Sequence, residues 1–472
     1  MPAGSTLTFL GAAGTTTGSK HLLRHGRRSV LLDCGLFAGL RELRERNWEK
    51  PAFQPDSLSA VVLSHAHVDH SGYLPVLARL GFRGPVWCTP GTADLLDVVL
   101  PDSARLQEED AEQANKHGYT KHKPARPLCT EADARKALKL VRARGYDTPV
   151  TVCDGVTATF RRTGHILGSA SVDLLLDSPT PLRVVFSGDL GRWNKPILRD
   201  PEFVPEADVL MVESTYGDRT HPPDPADAVA RLINDGVTRG GAIIIPAFAV
   251  DRTQELLYVL RQLEDRNRIP RLPVFVDSPM ATAVTDLYCR HPEDHDLEMT
   301  ALTSRDACPL ESHAVRFVRT PDESKALNSI DGPCVIIASS GMATGGRVLH
   351  HLKHRLGDPK TTVLLVGYQA VGTRGRALQE GAHEVRIHGQ RVFVRATVEK
   401  IDGLSAHADR DEILKWLGGF RRPPRVTYLV HGEPPALTAL QELIRQKLGW
   451  DVRIPTDGET VLLAGDGATR SG

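Results

Sequence analysis

The stretch Leu63-Ser64-His65-Ala66-His67-Val68-Asp69-His70-Ser71-Gly72 decides how this chain is read. It follows the apolar run Ala60-Val61-Val62-Leu63 directly and packs three imidazoles and a carboxylate into six residues. Residues two apart in an extended segment point to the same side, so His65 and His67 are set to grip one metal ion. Asp69 and His70 follow once the chain turns, and they face a second ion. Imidazole with carboxylate suits Zn²⁺. A His-rich surface loop with accidental spacing is the competing reading. Four ligand-type residues crowding the end of a buried strand argue against it.

A two-metal centre needs further donors, best placed at strand ends where the backbone is stiff. Thr163-Gly164-His165-Ile166-Leu167-Gly168 offers an imidazole, and Phe186-Ser187-Gly188-Asp189-Leu190-Gly191 offers a carboxylate able to bridge two ions. Leu429-Val430-His431-Gly432-Glu433 adds an imidazole, and Asp33, ending Val30-Leu31-Leu32, suits an acceptor that fixes a ligand histidine. Singly, each is weak: a histidine after a strand is usually structural, and Ser-Gly-Asp is a common turn. Jointly they form two sets: His65, His67, His165 and Asp189 for one ion, and Asp69, His70, Asp189 and His431 for the other. A hydroxide held between such ions would form near neutral pH and act as nucleophile.

At 472 residues the chain is too long for one ordinary core. Lys plus Arg balances Asp plus Glu at 58 each, so no global positive field advertises nucleic acid. Such a site must be local; Lys121 to Arg126, Arg135 to Arg144 and Arg421-Arg422 are candidates, and each equally fits a solvated face. The seven cysteines are scattered without a Cys-x-x-Cys pair, which argues against a disulfide framework and fits a reducing compartment. The N-terminus lacks the basic start and apolar core of a signal peptide, and no apolar stretch approaches a membrane span. A cytoplasmic location and no membrane partner are expected.

The first third reads as short strands: Leu7 to Leu10, Ser29 to Asp33, Ser59 to Ser64, Val150 to Val152, Val156 to Arg161, Ser171 to Leu176 and Leu182 to Ser187. Gln107 to Ala114 and Glu131 to Val141 suit exposed helices. After Val209 to Glu213 the pattern becomes alternating buried strands and helices. These are Gly241 to Pro246, a helix over Arg252 to Leu263, Val274 to Asp277, a helix from about Met280 to Cys289, Val335 to Ala338 and Val363 to Val366. That alternation argues a parallel α/β block. Val392 to Val398 and Arg425 to Val430 return to the earlier style, so the middle block is expected to be inserted within another domain.

Asp33, the His65 to His70 motif, His165 and Asp189 resemble, in order and spacing, the metallo-β-lactamase superfamily. The middle block and tail are similar to its β-CASP branch of nucleic-acid-processing metallohydrolases. The matching phrases are Val212 to Gly217, Ile245 to Glu255, Val276 to Ala281, Ala338 to Met342 with Gly345-Gly346-Arg347, Gly367-Tyr368-Gln369-Ala370 with Gly372 to Arg376, Ser405 to Asp409 and His431-Gly432-Glu433. The resemblance implies an αββα metallo-β-lactamase sandwich formed by 1–213 and 396–472, with a parallel α/β β-CASP domain inserted over 214–395. It also implies a ribonuclease holding two Zn²⁺ per chain and hydrolysing single-stranded RNA, as an endonuclease with exonuclease action also open. Glu213, His407 and His431 match the family's additional motifs. By that likeness Glu213 hydrogen-bonds His407, a general acid for the leaving oxygen, His431 completes the second metal, and Asp69 acts in catalysis as well as ligation. A second-sphere or helix-capping role is the alternative for His407.

The Ser339-Ser340-Gly341-Met342 turn is expected to offer backbone N–H groups to phosphate. Arg252, Arg347, Arg374 and Arg376 recur in the family-like phrases as phosphate contacts, an ordinary salt bridge being the alternative for each. Two departures from the family pattern stand out. The loop Gly11 to Ser19 lacks the usual acidic residue (it is not a phosphate loop either), and Asp251 stands where a glycine is expected. With no RNA-binding module before Met1 and about forty residues after His431, the chain resembles the compact stand-alone bacterial type, similar to the cleavage and polyadenylation endonuclease. A histidine at 431 resembles the RNA-processing branch. The rivals are a small-molecule metallohydrolase acting on a thioester or lactam, a DNA-processing nuclease and an inert scaffold. A homodimer stays open.

Overall fold

A computed structural model of the chain describes residues 4–118, 122–222, 225–305, 308–311, 314–367, 369, 372–401 and 403–463. Lys121, Tyr368 and Ala370, singled out in the sequence, lie outside them. The chain divides into two compact units, one built from Met1–Lys195, Arg199–Thr220 and His407–Gly472, the other from Pro196–Leu198 and His221–Ala406. Among the described residues no helix is long and apolar enough to cross a membrane.

The first unit is an αββα sandwich. One seven-stranded sheet runs in the order Thr460–Leu462, Thr6–Phe9, His21–His25, Arg28–Leu32, Ala60–Val62, Val86–Cys88, Val141–Ala143. The other runs Val452–Arg453, Val426–Val430, Val209–Glu213, Leu182–Phe186, Ala170–Leu176, Val156–Arg162, Val150–Cys153. Strand side chains alternate between faces, and the inward set (Leu7, Phe9, Val30, Leu32, Val62 against Phe160, Val172, Val184, Phe186, Met211, Tyr428) forms the central core. The opposite face of the second sheet presents Val185, Leu210, Val212 and Leu429. Helices Arg410–Leu417 and Pro434–Leu448 cover it with Ile413, Trp416, Leu437, Leu440 and Ile444.

The second unit holds a six-stranded, wholly parallel sheet in the order Val315–Phe317, Val274–Asp277, Val335–Ala338, Ile243–Pro246, Thr362–Val366, Thr397–Ile401. Both faces are buried, as parallel sheets require. Ile243, Ile245, Val276 and Ile337 pack under one helical layer, while Ile244, Val363 and Leu365 pack under the other.

Three sequence expectations change. The helix expected over Glu131 to Val141 stops at Leu138, because Val141–Ala143 pairs with Val86–Cys88 as the edge strand. The strand expected over Val392 to Val398 splits: Gln390–Phe393 pairs with Glu384–Ile387, and Thr397–Ile401 joins the sheet of the second unit. Alternation identifies a strand but not the sheet it joins. Finally, the reading against a disulfide framework meets an exception at Cys289 and Cys308, which form a disulfide nineteen residues apart in sequence. Cys34, Cys88, Cys129, Cys153 and Cys334 are free.

The Asp251 departure acquires a physical meaning. Asp251 has φ 72° and ψ −60°, and Arg252 N–H reaches across it to the Val250 carbonyl at 3.0 Å. This is the rarer-handed γ-turn, strained for any residue with a Cβ. Asp251→Gly is expected to raise the thermal unfolding midpoint. Relief of about 1–3 kcal/mol of strain is set against the glycine entropy cost of about 0.5–1 kcal/mol and the loss of the side-chain contacts of Asp251, among them the long 3.5 Å Tyr288 hydroxyl. A lower midpoint by calorimetry would show that the side chain matters more than the strain.

Candidate metal centre

Every ligand-type residue of the cluster comes from a strand end of the first unit. After Ala60–Val62 the chain runs extended through His65 and His67, then closes one helical turn, Val68–Ser71, which carries Asp69 and His70. His165 lies in the turn after Val156–Arg162, where the Ser169 Oγ accepts from the backbone N–H of His165 at 3.0 Å and of Ile166 at 3.2 Å. Asp189 follows Leu182–Phe186. His431 follows Val426–Val430 in the left-handed region (φ 51°), its N–H donating to the Ala12 carbonyl at 2.7 Å.

The donor atoms of His65, His67, His165 and Asp189 lie within 4.8 Å of one another, as do those of Asp69, His70 and His431. Asp189 Oδ2 is 3.5 Å from Nε2 of both His65 and His165 and 3.4 Å from His70 Nε2, and its Oδ1 is 3.3 Å from His431 Nδ1. The carboxylate thus stands between the two groups. His67 Nδ1 is 3.1 Å from His65 Nε2 and 3.2 Å from His165 Nε2, and His70 Nε2 is 3.1 Å from His431 Nε2. Nitrogens converging in this way cannot all be hydrogen-bonded to one another. Their spacing is close to roughly 3.3 Å, the edge of a tetrahedron with metal–nitrogen bonds of about 2.0–2.1 Å. Asp189 Oδ1 is also buried without a hydrogen-bond donor. An all-nitrogen-and-oxygen set of this kind fits Zn²⁺.

The electrostatics follow from burial among charges. Burial, reinforced by neighbouring imidazoles, holds His65 and His165 well below the ordinary imidazole range, and burial also lowers His67. These three are neutral, the form that ligates. Burial opposes the Asp189 charge, but His431 and His70 outweigh it and hold that carboxyl well below its usual range. Asp69 falls to about 2 in the same way, burial being overcome by His70 and His431. His70 goes the other way: burial opposes its charge, and the carboxylates of Asp189, Asp33 and Asp69 override it.

A third group sits beside these two. Asp189, Glu213 and His407 have donor atoms within 4.8 Å of one another. His407 Nδ1 is 3.2 Å from Glu213 Oε2 and 3.8 Å from Asp189 Oδ2. Glu213, fully buried at the end of Val209–Glu213, also accepts from Leu190 N–H at 2.7 Å and Thr215 Oγ1 at 2.6 Å. Burial counts against charge on His407, yet Glu213 and Asp189 raise its pKa above the ordinary value.

Asp33 lies under the cluster, as the sequence suggests. Its carboxylate accepts from His70 Nδ1 at 2.6 Å, Ser64 N–H at 2.8 Å, Ser64 Oγ at 3.0 Å and Ser19 Oγ at 3.0 Å. With Nδ1 so engaged, His70 Nε2 is left to face the centre. Sequence reasoning missed the hydroxyls of Ser19, Ser64, Ser169 and Thr215. Thr215 Oγ1 is also 3.1 Å from His431 Nδ1, linking Glu213 to His431. Ser64 and Thr215 adjoin motif residues and were open to notice; nothing in the spacing marks Ser19.

Gly35 shows how tightly the loop is held. Cys34 N–H donates to the His70 carbonyl at 2.7 Å and Leu36 N–H to Val68 at 3.0 Å, so a Cβ on Gly35 would fall 1.6 Å from the Asp69 carbonyl oxygen. Backbone cannot yield as a side chain does. Gly35→Ala is expected to push the Asp69–His70 turn outward, lowering bound zinc by elemental analysis and weakening its affinity by about 10–100-fold. Full zinc content at unchanged affinity would mean the turn tolerates the shift.

The predicted substrate residues lie in the second unit. Ser340 Oγ accepts from Thr344 N–H at 3.0 Å and Gly345 N–H at 3.3 Å, and Ser339 Oγ donates to Ser278 Oγ at 3.0 Å. Gly341 and Met342 donate no backbone hydrogen bond among the described residues. The arginines are engaged internally: Arg252 with Glu255, Arg347 with Asp277 and the carbonyls of Val318 and Arg319, Arg374 with the carbonyls of Arg386, Ala343 and Thr344, and Arg376 with Glu380.

Comparison with known proteins agrees with this architecture. A beta-lactamase superfamily domain matches residues 28–236, a Beta-Casp domain 253–378, and a Zn-dependent metallo-hydrolase RNA specificity domain 391–455. The chain is 40% identical over 453 residues to Ribonuclease TTHA0252 of Thermus thermophilus, covering 96% of this chain and 98% of that one. It is 31% identical over 470 residues to the transcription termination factor FttA of Methanosarcina mazei, covering 97% of this chain and 71% of that one. A solved structure of a protein of unknown function from Enterococcus faecalis shares the fold, with a TM-score of 0.55 at 13% identity over 98% of this chain and all of that one. With its domain order and metal-type histidines, the chain belongs to the β-CASP family of metal-dependent nucleases within the metallo-β-lactamase superfamily.

Proposed function

We propose that the protein is a zinc-dependent ribonuclease that hydrolyses phosphodiester bonds of single-stranded RNA. The observation carrying this reading is the place of Asp189, a member of the first metal-type group that also lies 3.4 Å from His70 and 3.3 Å from His431 of the second and joins the Glu213–His407 pair. His65, His67 and His165 would hold one ion and Asp69, His70 and His431 the other, with Asp189 between them. Bound there, divalent ions supply Lewis acidity, lowering the pKa of a water and neutralising phosphate charge. The remaining work falls to the chain. Asp33 fixes the tautomer of His70, and Glu213 holds His407 by Nδ1, so that its other nitrogen donates a proton to the departing oxygen. The N–H groups of Gly341 and Met342, which donate no backbone hydrogen bond among the described residues, suit a phosphate oxygen. The engaged guanidinium groups of Arg252, Arg347, Arg374 and Arg376 would contribute charge from fixed positions. The domain limits 1–213, 214–395 and 396–472 belong to the same reading; an insertion accords with the two compact units, whose own main limits fall after Thr220 and after Ala406.

RNA labelled at each end, with matching DNA, tests the proposal. Zinc-loaded protein should cut the RNA, lose activity to a chelator and regain it with Zn²⁺, while leaving DNA intact. The two labels separate internal from terminal cuts. Cleavage of DNA alone, or undiminished RNA cleavage by His65→Ala, would overturn it.

A further inference from the structure

The short helix Arg41–Arg46 contributes no buried residue to any core. One side of it is nonetheless well ordered. Asn47 is buried and clasps Phe37 twice, accepting from Phe37 N–H at 2.9 Å and donating to its carbonyl at 2.8 Å. Arg46 lies over the Phe37 ring at 4.0 Å and pairs with Asp457 at 2.7 Å. Trp48 N–H donates to the Glu45 carbonyl at 3.0 Å, continuing the turn. The side facing solvent carries Leu40, Arg44 and Trp48 at successive four-residue steps. Leu40 is 53% and Trp48 59% exposed. Arg41 and Arg46 are matched by Glu45 and Asp457, whereas Arg44 forms no ion pair among the described residues.

A chain of hydrogen bonds ties this helix to the metal-type loop. Phe37, clasped by Asn47, directly follows Leu36, whose N–H bonds Val68, the residue before Asp69. Summing those steps places Trp48 on the order of 20 Å at most from Asp69. An exposed indole on a hydrogen-bonded backbone, beside a guanidinium with no ion pair among the described residues, is chemistry that binds single-stranded nucleic acid: stacking for a base and charge for a phosphate.

We propose that Trp48 and Arg44 form a binding site for single-stranded RNA at the rim of the metal centre, Trp48 stacking on a base and Arg44 pairing with a phosphate. The proposal rests on the ribonuclease reading and adds a substrate-recognition site to it.

The test compares a short unstructured RNA with bis(p-nitrophenyl) phosphate, which has neither a base nor a second phosphate. Trp48→Ala should raise KM for RNA about tenfold with kcat little changed, within the range for one lost stack. The ratio of kcat/KM for RNA to that for the small diester should fall by the same factor. Trp48→Phe, which keeps an aromatic face, should recover most of the loss. Arg44→Ala should flatten the slope of log affinity against log salt by about 0.7, one single-strand phosphate contact. An unchanged KM with Trp48→Ala overturns the proposal, as does an equal loss on both substrates. A shift from dimer to monomer with RNA affinity intact would assign the face to a second copy of the chain. Failure of the wild-type protein to cut RNA while it hydrolyses the small diester would instead refute the ribonuclease reading.

Discussion

Asp189→Ala is expected to lower bound zinc by at least half and RNA hydrolysis by at least about 10³-fold, the scale of losing a principal electrostatic contact at a reacting centre. The reason is its position. Four imidazoles, those of His65, His165, His70 and His431, lie within 3.3–3.5 Å of its two oxygens. Asp189 belongs to the first metal-type group, its oxygens reach His70 and His431 of the second, and with Glu213 and His407 it makes up the third. Its removal leaves nitrogens crowded together around an absent anion and affects both sets at once. Asp189→Asn separates charge from shape: the amide fits the same space but offers one neutral oxygen, so zinc should again be lost. Elemental analysis after exhaustive dialysis, paired with the rate, decides the matter. Full zinc in Asp189→Ala with less than a tenfold rate loss would mean that the carboxylate does not join the two groups.

How much of this was legible in the sequence depends on the kind of residue. Ligand-type residues could be read because strand patterning and donor chemistry coincide: an apolar run ending in His65 to His70, or in Asp189, is unusual in both respects. Glu213 and His407 could not be read that way. Glu213 ends a fully buried strand and looks like any strand terminus, and His407 sits between two alanines with no flanking strand. Only the family resemblance drew them together across 194 residues. The hydroxyls of Ser19 and Ser169 stayed invisible, and those of Ser64 and Thr215 went unread beside motif residues, for a different reason. Serine and threonine are abundant in turns, and the pairs they form, such as Thr215 with His431, join loops 216 residues apart. The Cys289–Cys308 bond was hidden because pairing depends on where a helix end meets a loop, which spacing alone does not tell.

His407→Ala should separate proton transfer from metal binding. The imidazole is held at Nδ1 by Glu213 at 3.2 Å, its side chain is 20% exposed, and its ring stands 4.4 Å from that of His165. Glu213 and Asp189 favour its protonated form against the cost of burial. A proton held at this place is useful only if the leaving oxygen needs it. A ribose oxygen of RNA is a poor leaving group, so its departure should slow by about 10²–10⁴-fold in His407→Ala, the usual worth of a positioned general acid. Departure of p-nitrophenolate from bis(p-nitrophenyl) phosphate needs little protonation, and its loss should stay within about tenfold. Zinc content should match that of the wild-type protein, since His65, His67, His165, Asp69, His70, Asp189 and His431 are all retained. The gap between the two substrates carries the assignment. Equal losses on both, or a fall in zinc, would make His407 a support for Asp189 rather than a proton donor, and Glu213→Gln would then reproduce that pattern.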